Sequence, residues 1–279
     1  MTNPLLAKVK MPGRSFQLPS KGLFYDNGEL SPDVVNGEVH VRPMSALHEI
    51  TMKNPDMLFS GKAIETVFTE CVDGVEKPSL LFSKDVDAIM LFLRAVTYGG
   101  DYEFTARHID SAGNPVCPDA KTHSYVDNLE PHIFACKFVD PTTAVENFKV
   151  ELSNGQIVSM YPNRYNQVVD LVKNSNMINN KSTPEEQVDH LKRTLIGILM
   201  SVIKSVEDTI NGERAVITNR DFILEWLVAL PAPMTNKLAS KIDELNDWGI
   251  STVATVECKD CGAPFEVELP INPVNFFTE

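Results

Sequence analysis

Apolar and polar positions along this chain fall into blocks of different period. From Lys62 to Cys71, the residues Ile64, Val67, Phe68 and Cys71 recur at helical spacing. Ser83-Lys-Asp opens a second such row, Val86, Ile89, Met90 and Leu93, which Gly99-Gly100 stops. Ahead of both, Glu38-Val-His-Val-Arg-Pro43 alternates as a strand and ends at proline, after which Ser45 can cap a helix reaching about Lys53. The pattern changes after Asp101 to short alternating stretches broken by turns. Phe148 to Leu152 and Gln156 to Tyr161, separated by Ser153-Asn154-Gly155, predict a hairpin, since Asn-Gly supplies the positive φ angles of a two-residue turn.

A longer helical row follows. Thr183-Pro184-Glu185-Glu186 reads as a capping box with proline at the first helical position, and Val188, Leu191, Leu195, Ile198, Val202 and Val206 continue the apolar face. Further helices are expected from Arg220 to Leu230 and from Pro233 to Trp248, split by Pro231-Ala-Pro233. The last stretch returns to strands, Val253 to Glu257 and Phe265 to Leu269, on either side of Cys258-Lys-Asp-Cys261-Gly262.

These elements predict an α+β fold, in which helical blocks are each followed by a small, knuckle-like β-hairpin. The expected segments are an extended N-terminal arm with short strands over residues 1–40, a helical block over 41–100 and a β-rich knuckle and hairpin region over 101–162. A second helical block over 163–250 and a C-terminal Cys-x-x-Cys hairpin with a tail over 251–279 complete the order. The prolines of the first forty residues favour extended and turn conformations.

The length of 279 residues is enough to bury a core without staples. A formal charge of −13 opposes sequence-independent binding to phosphate backbones, so no nucleic-acid partner is expected. Five cysteines, an odd number, fit a reducing compartment better than a disulfide framework. No run of about eighteen apolar residues and no leader-like start is present, so synthesis in the cytoplasm and no membrane partner are expected.

The chemistry-bearing residues are few. Thr105-Ala-Arg-His108-Ile-Asp-Ser111 parallels Thr255-Val-Glu-Cys258-Lys-Asp-Cys261, and only the second phrase holds a Cys-x-x-Cys pair. If the two knuckles pack side by side, Cys258 and Cys261 can be joined by His108 and Cys117 into a four-ligand zinc site, because structural zinc takes four nitrogen or sulfur ligands. A lone Cys-x-x-Cys leaves that set open; Cys71 and Cys136 read as small core residues. Neither a zincin helix, a phosphate-cradling loop nor a nucleophile elbow occurs, and the six histidines are scattered, so no catalytic residue is assigned and no enzyme is expected. Apolar residues in the arms, Leu23 and Phe24 near one end and Phe276 and Phe277 near the other, are expected to meet a partner or fold back on the core.

Several of these pieces recur in order: Leu18-Pro-Ser-Lys-Gly-Leu-Phe-Tyr25, Gly37-Glu-Val-His-Val-Arg-Pro-Met44, Lys62-Ala-Ile-Glu-Thr-Val-Phe-Thr-Glu-Cys71 and Leu91-Phe-Leu-Arg-Ala-Val-Thr-Tyr-Gly99. In that order the chain resembles the T4-like bacteriophage baseplate proteins, the hub subunit and hub-assembly proteins of contractile tails. The resemblance implies a non-enzymatic virion tail protein that binds other baseplate hub and tail proteins, with a homo-oligomer compatible with that role. It covers both particle components and assembly chaperones that do not stay in the virion. A zinc-ribbon module binding protein or nucleic acid is the alternative from the residues alone.

Overall fold

Alternation and helical spacing each produce the expected element where the burial is one-sided. In the computed structural model, residues 12–110, 112–117, 121–144, 148–175, 184–210, 212–271 and 276–277 are described, with the backbone alone at 174–175, 184–191 and 210. The strands β1 (Arg14–Gln17), β2 (Glu38–Val41) and β3 (Val72–Asp73) form an antiparallel sheet in that order. Between β2 and β3 run α1 (Ala46–Met52), α2 (Pro55–Ser60) and α3 (Lys62–Cys71). Ser45 starts α1, its N–H donating to His48 Nδ1 at 3.0 Å, and Asn54 caps α2 by accepting from the N–H groups of Asp56 and Met57.

The helix α4 (Ser83–Tyr98) is the spine of the first core. Val86, Ala88, Ile89, Leu91, Phe92 and Leu93 are all buried, so the helix is wrapped on more than one face. Two hairpins flank it: β4 (Asp101–Ala106) with β5 (His123–Asn128), and near the end of the chain β10 (Val253–Glu257) with β11 (Pro264–Glu268). Both pack into the same hydrophobic core as β1 and α3.

Between the hairpins lies a second core. After α5 (Leu129–Phe134) the chain forms β6 (Lys149–Glu151), β7 (Ile157–Met160), α6 (Tyr165–Ser175), α7 (Pro184–Val202), β8 (Ile203–Ile210), β9 (Glu213–Ile217), α8 (Arg220–Ala229) and α9 (Ala232–Leu245). The four strands make one antiparallel sheet, β6-β7-β8-β9, and its core residues run from Val139 to Trp248, joined by Phe82. The chain enters and leaves this lobe through a neck, where Lys137 and Gly249 exchange backbone hydrogen bonds at 2.9 and 2.8 Å. The second lobe is therefore an insertion that brings its two ends back together.

Several expectations need correction. The segment 163–250 is not wholly helical: α7 stops at Val202, and Val206 lies in β8. Val202 and Val206 keep helical spacing, but both are also buried where helix passes directly into strand, and the β-branched Ile203, Val206, Thr209 and Ile210 suit a central strand better than a helix. The hairpin at Asn154 uses a longer loop than the expected two-residue turn. Leu152 donates to the Gln156 carbonyl at 2.8 Å, and among Ser153, Asn154 and Gly155 only Gly155 takes a positive φ, 84°.

The described part of the N-terminal arm is docked, not free. Leu18 is fully buried, and Asp85 accepts from Ser20 N–H at 2.9 Å and from the Tyr25 hydroxyl at 2.6 Å. Burial pushes the Asp85 carboxyl up to about 6, against those hydrogen bonds, which favour the carboxylate. Residues 1–11, Thr183 of the expected capping box, Ser111, and residues 272–275 and 278–279 of the tail lie outside the described residues.

Candidate metal centre

The turn between β10 and β11 and the loop between β4 and β5 meet edge to edge. At the first, Cys258 donates its N–H to the Ala263 carbonyl at 2.9 Å and accepts at its own carbonyl from Gly262 N–H at 2.8 Å, which folds the chain around one sulfur. Gly262 sits at φ 73°, a left-handed turn that a side chain would strain. In the second loop, Val116 donates to the His108 carbonyl at 3.1 Å, and Asp110 Oδ1 accepts from the N–H groups of Ala112 and Asn114 at 2.9 and 2.8 Å. This fixes His108 and Cys117 at the two ends of a short bracket.

The structure brings together His108, Cys117, Cys258 and Cys261, with one donor atom from each lying within 4.8 Å of all the others. Cys117 and Cys258 Sγ are 3.8 Å apart, and Cys261 Sγ lies 3.5 Å from His108 Nδ1. Three of the four residues are buried, and Cys261 is exposed. The His108 ring stacks on Phe265 with centroids 4.6 Å apart, which fixes the ring plane. Two thiols with opposite surroundings face each other here. Burial and then the neighbouring thiols of Cys258 and Cys261 raise the Cys117 thiol. Burial also opposes ionisation of Cys258, but the N–H groups of Cys261 and Asp260, the Cys261 thiol and His108 outweigh it and lower that thiol.

Outside the four donors, contacts that no sequence motif signals clamp the loops together. Asp260 accepts from Lys121 N–H at 2.9 Å and lies 2.9 Å from His123 Nε2, and these neighbours hold its carboxyl below its ordinary value. Lys259 Nζ donates to the Ser124 carbonyl at 2.5 Å and sits over the Tyr125 ring, which in turn packs T-shaped with Phe265 at 5.9 Å. His132, on α5, bridges Asp127 at 2.6 Å and the Ser251 carbonyl at 2.9 Å, tying the first hairpin to the start of the second.

The other singled-out residues sit elsewhere. Cys71 and Cys136 are buried away from the cluster, with Cys71 Sγ 3.3 Å from His48 Nδ1. Phe276 and Phe277, expected as partner-binding residues, are fully buried: Phe276 meets Tyr102 edge-on at 5.0 Å, and Tyr98 donates to the Phe277 carbonyl at 3.1 Å. Two phenylalanines gain more by filling the core beside α4 than by facing water. Phe24 likewise turns inward onto Phe148 and Tyr161, and Leu23 packs against the second core. The apolar side chains left outside lie on other elements, among them Phe222, 64% exposed, and Val228, 63% exposed, on α8.

Among the described residues no other group of histidine, cysteine or acidic side chains could hold a metal, and no helix is long and apolar enough to cross a membrane. A family model described as T4 bacteriophage base plate protein matches residues 36–278. No curated protein and no solved structure matches the chain.

Proposed function

We propose that this chain, which belongs to the T4 bacteriophage base plate protein family, is a component of the baseplate hub that works in tail assembly by binding neighbouring tail proteins. The observation that carries this reading is the extent of the family match. It spans residues 36–278, which takes in the second lobe, the neck, both hairpins and all of the first lobe except the segment carrying β1, so it concerns most of the architecture and not one shared module.

The physical character of the surface agrees with a binding role. Phe222, Leu224 and Val228 on α8 and Leu47 and Ile50 on α1 are exposed, and such residues gain most when a neighbour covers them. The charge of −13 favours solubility before assembly and attraction to basic partners. In this reading the protein resides in the virion tail, and the described lobes act as rigid brackets without chemistry of their own.

Quantitative mass spectrometry of purified particles tests the proposal. A small fixed stoichiometry in mature virions is expected for a hub subunit. Absence from particles that nevertheless cannot form without it makes the chain an assembly chaperone. Failure of the purified protein to bind any tail protein of the same phage overturns the reading.

A further inference from the structure

We infer that His108, Cys117, Cys258 and Cys261 bind one structural zinc ion that staples the β4–β5 loop to the Cys-x-x-Cys turn. The inference stands on geometry and does not depend on the role in the baseplate. With zinc–sulfur bonds of about 2.3 Å and zinc–nitrogen bonds of about 2.0–2.1 Å, a tetrahedral site spaces two sulfurs about 3.8 Å apart and a sulfur and an imidazole nitrogen about 3.5–3.6 Å apart. The separations between Cys117 and Cys258 and between Cys261 and His108 are 3.8 and 3.5 Å. A disulfide needs about 2.0 Å between sulfurs, and would leave the third thiol and the imidazole without a role.

The donor set also selects the ion. Three thiols and one imidazole form a closed Cys3His set, which suits zinc and disfavours magnesium and calcium, whose ligands are oxygens. Four protein ligands leave no open position for a substrate or an activated water, so the site is structural and not catalytic. The ring of His108 is held against Phe265, and the knuckle turn of Cys258 is closed by its own backbone hydrogen bonds, so the donors are arranged before the ion arrives.

The position of the site gives it a purpose. Cys117 and Cys258 lie 141 positions apart, and between them runs the whole second lobe. Coordinating both ends fastens the first lobe across the insertion. Each hairpin is only two strands, which is marginal in water when isolated, so the ion adds a staple to the contacts that already clamp the two loops together.

The test uses the full chain expressed in zinc-supplemented medium and measured by elemental analysis. About one zinc per chain is expected, and replacing it by Co(II) is expected to give the tetrahedral ligand-field and thiolate charge-transfer bands of a site with three sulfur ligands. Cys258→Ser should lose the metal, whereas Cys136→Ser, outside the cluster, should keep it. If Cys258→Ser does not fold, thiol alkylation of the wild-type chain decides: Cys117, Cys258 and Cys261 should be protected until a chelator is added. A folded wild-type chain that carries no zinc and gives no cobalt bands overturns the inference, as does a native Cys117–Cys258 disulfide.

Discussion

The two lobes solve the same problem of burying apolar surface in opposite ways. The second lobe is contiguous from Val139 to Trp248 and gathers its core around one four-stranded sheet. The first is assembled from both ends of the sequence, with Phe16 and Leu18 belonging to the same core as Phe276 and Phe277. Contiguity lets the second lobe form from nearby contacts, whereas the first must close a chain interrupted by more than a hundred residues. The difference teaches where the molecule is vulnerable. The first lobe depends on a few distant elements, and the clamps between its hairpins are concentrated there.

The largest break in that comparison should come from Phe277→Ala. Emptying a fully buried aromatic site is expected to cost about 3–5 kcal/mol. Both tryptophans, Trp226 and Trp248, belong to the second core, so their fluorescence reports mainly that lobe, although Trp248 also packs edge-on to Phe82 at the start of α4. Chemical denaturation should show the far-UV circular dichroism midpoint falling well before the tryptophan midpoint. Coincident transitions would mean that the lobes unfold as one unit.

Arg164→Ala attacks the junction. Arg164 begins the second lobe's helical stretch, yet its guanidinium donates to Glu29 at 2.8 Å and to the Leu80 carbonyl at 2.7 Å in the first. Glu29 is buried, so removing its cation leaves a carboxylate without its charge partner, at a cost of about 3 kcal/mol. Glu29→Gln in the Arg164→Ala background should recover part of that loss; a strictly additive double mutant would show that the pair does not couple the lobes.

Asp85 sharpens the comparison through pH. Its folded-state value of about 6 stands above the ordinary 3.8, so between those values the folded protein holds a proton that the unfolded chain has released. Its contribution is therefore present at and below about pH 4 and declines as pH rises toward 6, by an amount on the order of 2–3 kcal/mol. Unfolding free energies measured across that range should fall more steeply for wild type than for Asp85→Asn, which cannot ionise. Parallel curves would refute the assignment.

Phe222→Ser should have the smallest effect on folding. The side chain is exposed on α8, so stability should change by no more than about 0.5 kcal/mol. If this face of the second lobe meets a tail protein, co-sedimentation with its partners should weaken while the thermal midpoint stays unchanged.

Much of this architecture was legible because it is local. Lys62 to Cys71 and Ser83 to Tyr98 form helices where their apolar rows predict them, and Val253 to Glu257 forms the strand that leads into the Cys-x-x-Cys turn. Where a pattern fits two periods, local reading failed: Val202 and Val206 continue a helical row, yet pairing with β7 and β9 makes Val206 part of a strand. Asn211-Gly212 carried the overlooked signal, the same turn dipeptide that marks the Asn154 hairpin.

By itself, the sequence determined the helical rows, the turns and the Cys258–Cys261 pair, because periodicity, turn chemistry and residue spacing are properties of neighbouring residues; His108 and Cys117 it offered only as candidates. Only the tertiary structure decided that His108 and Cys117 stand beside Cys258 and Cys261. It also decided that Phe276 and Phe277 are core and not surface, and that a neck at Lys137 and Gly249 returns the chain to its first lobe. These are contacts between segments far apart in sequence. Their energy comes from surfaces covered and donors brought together only after both partners have folded, so no local pattern encodes them.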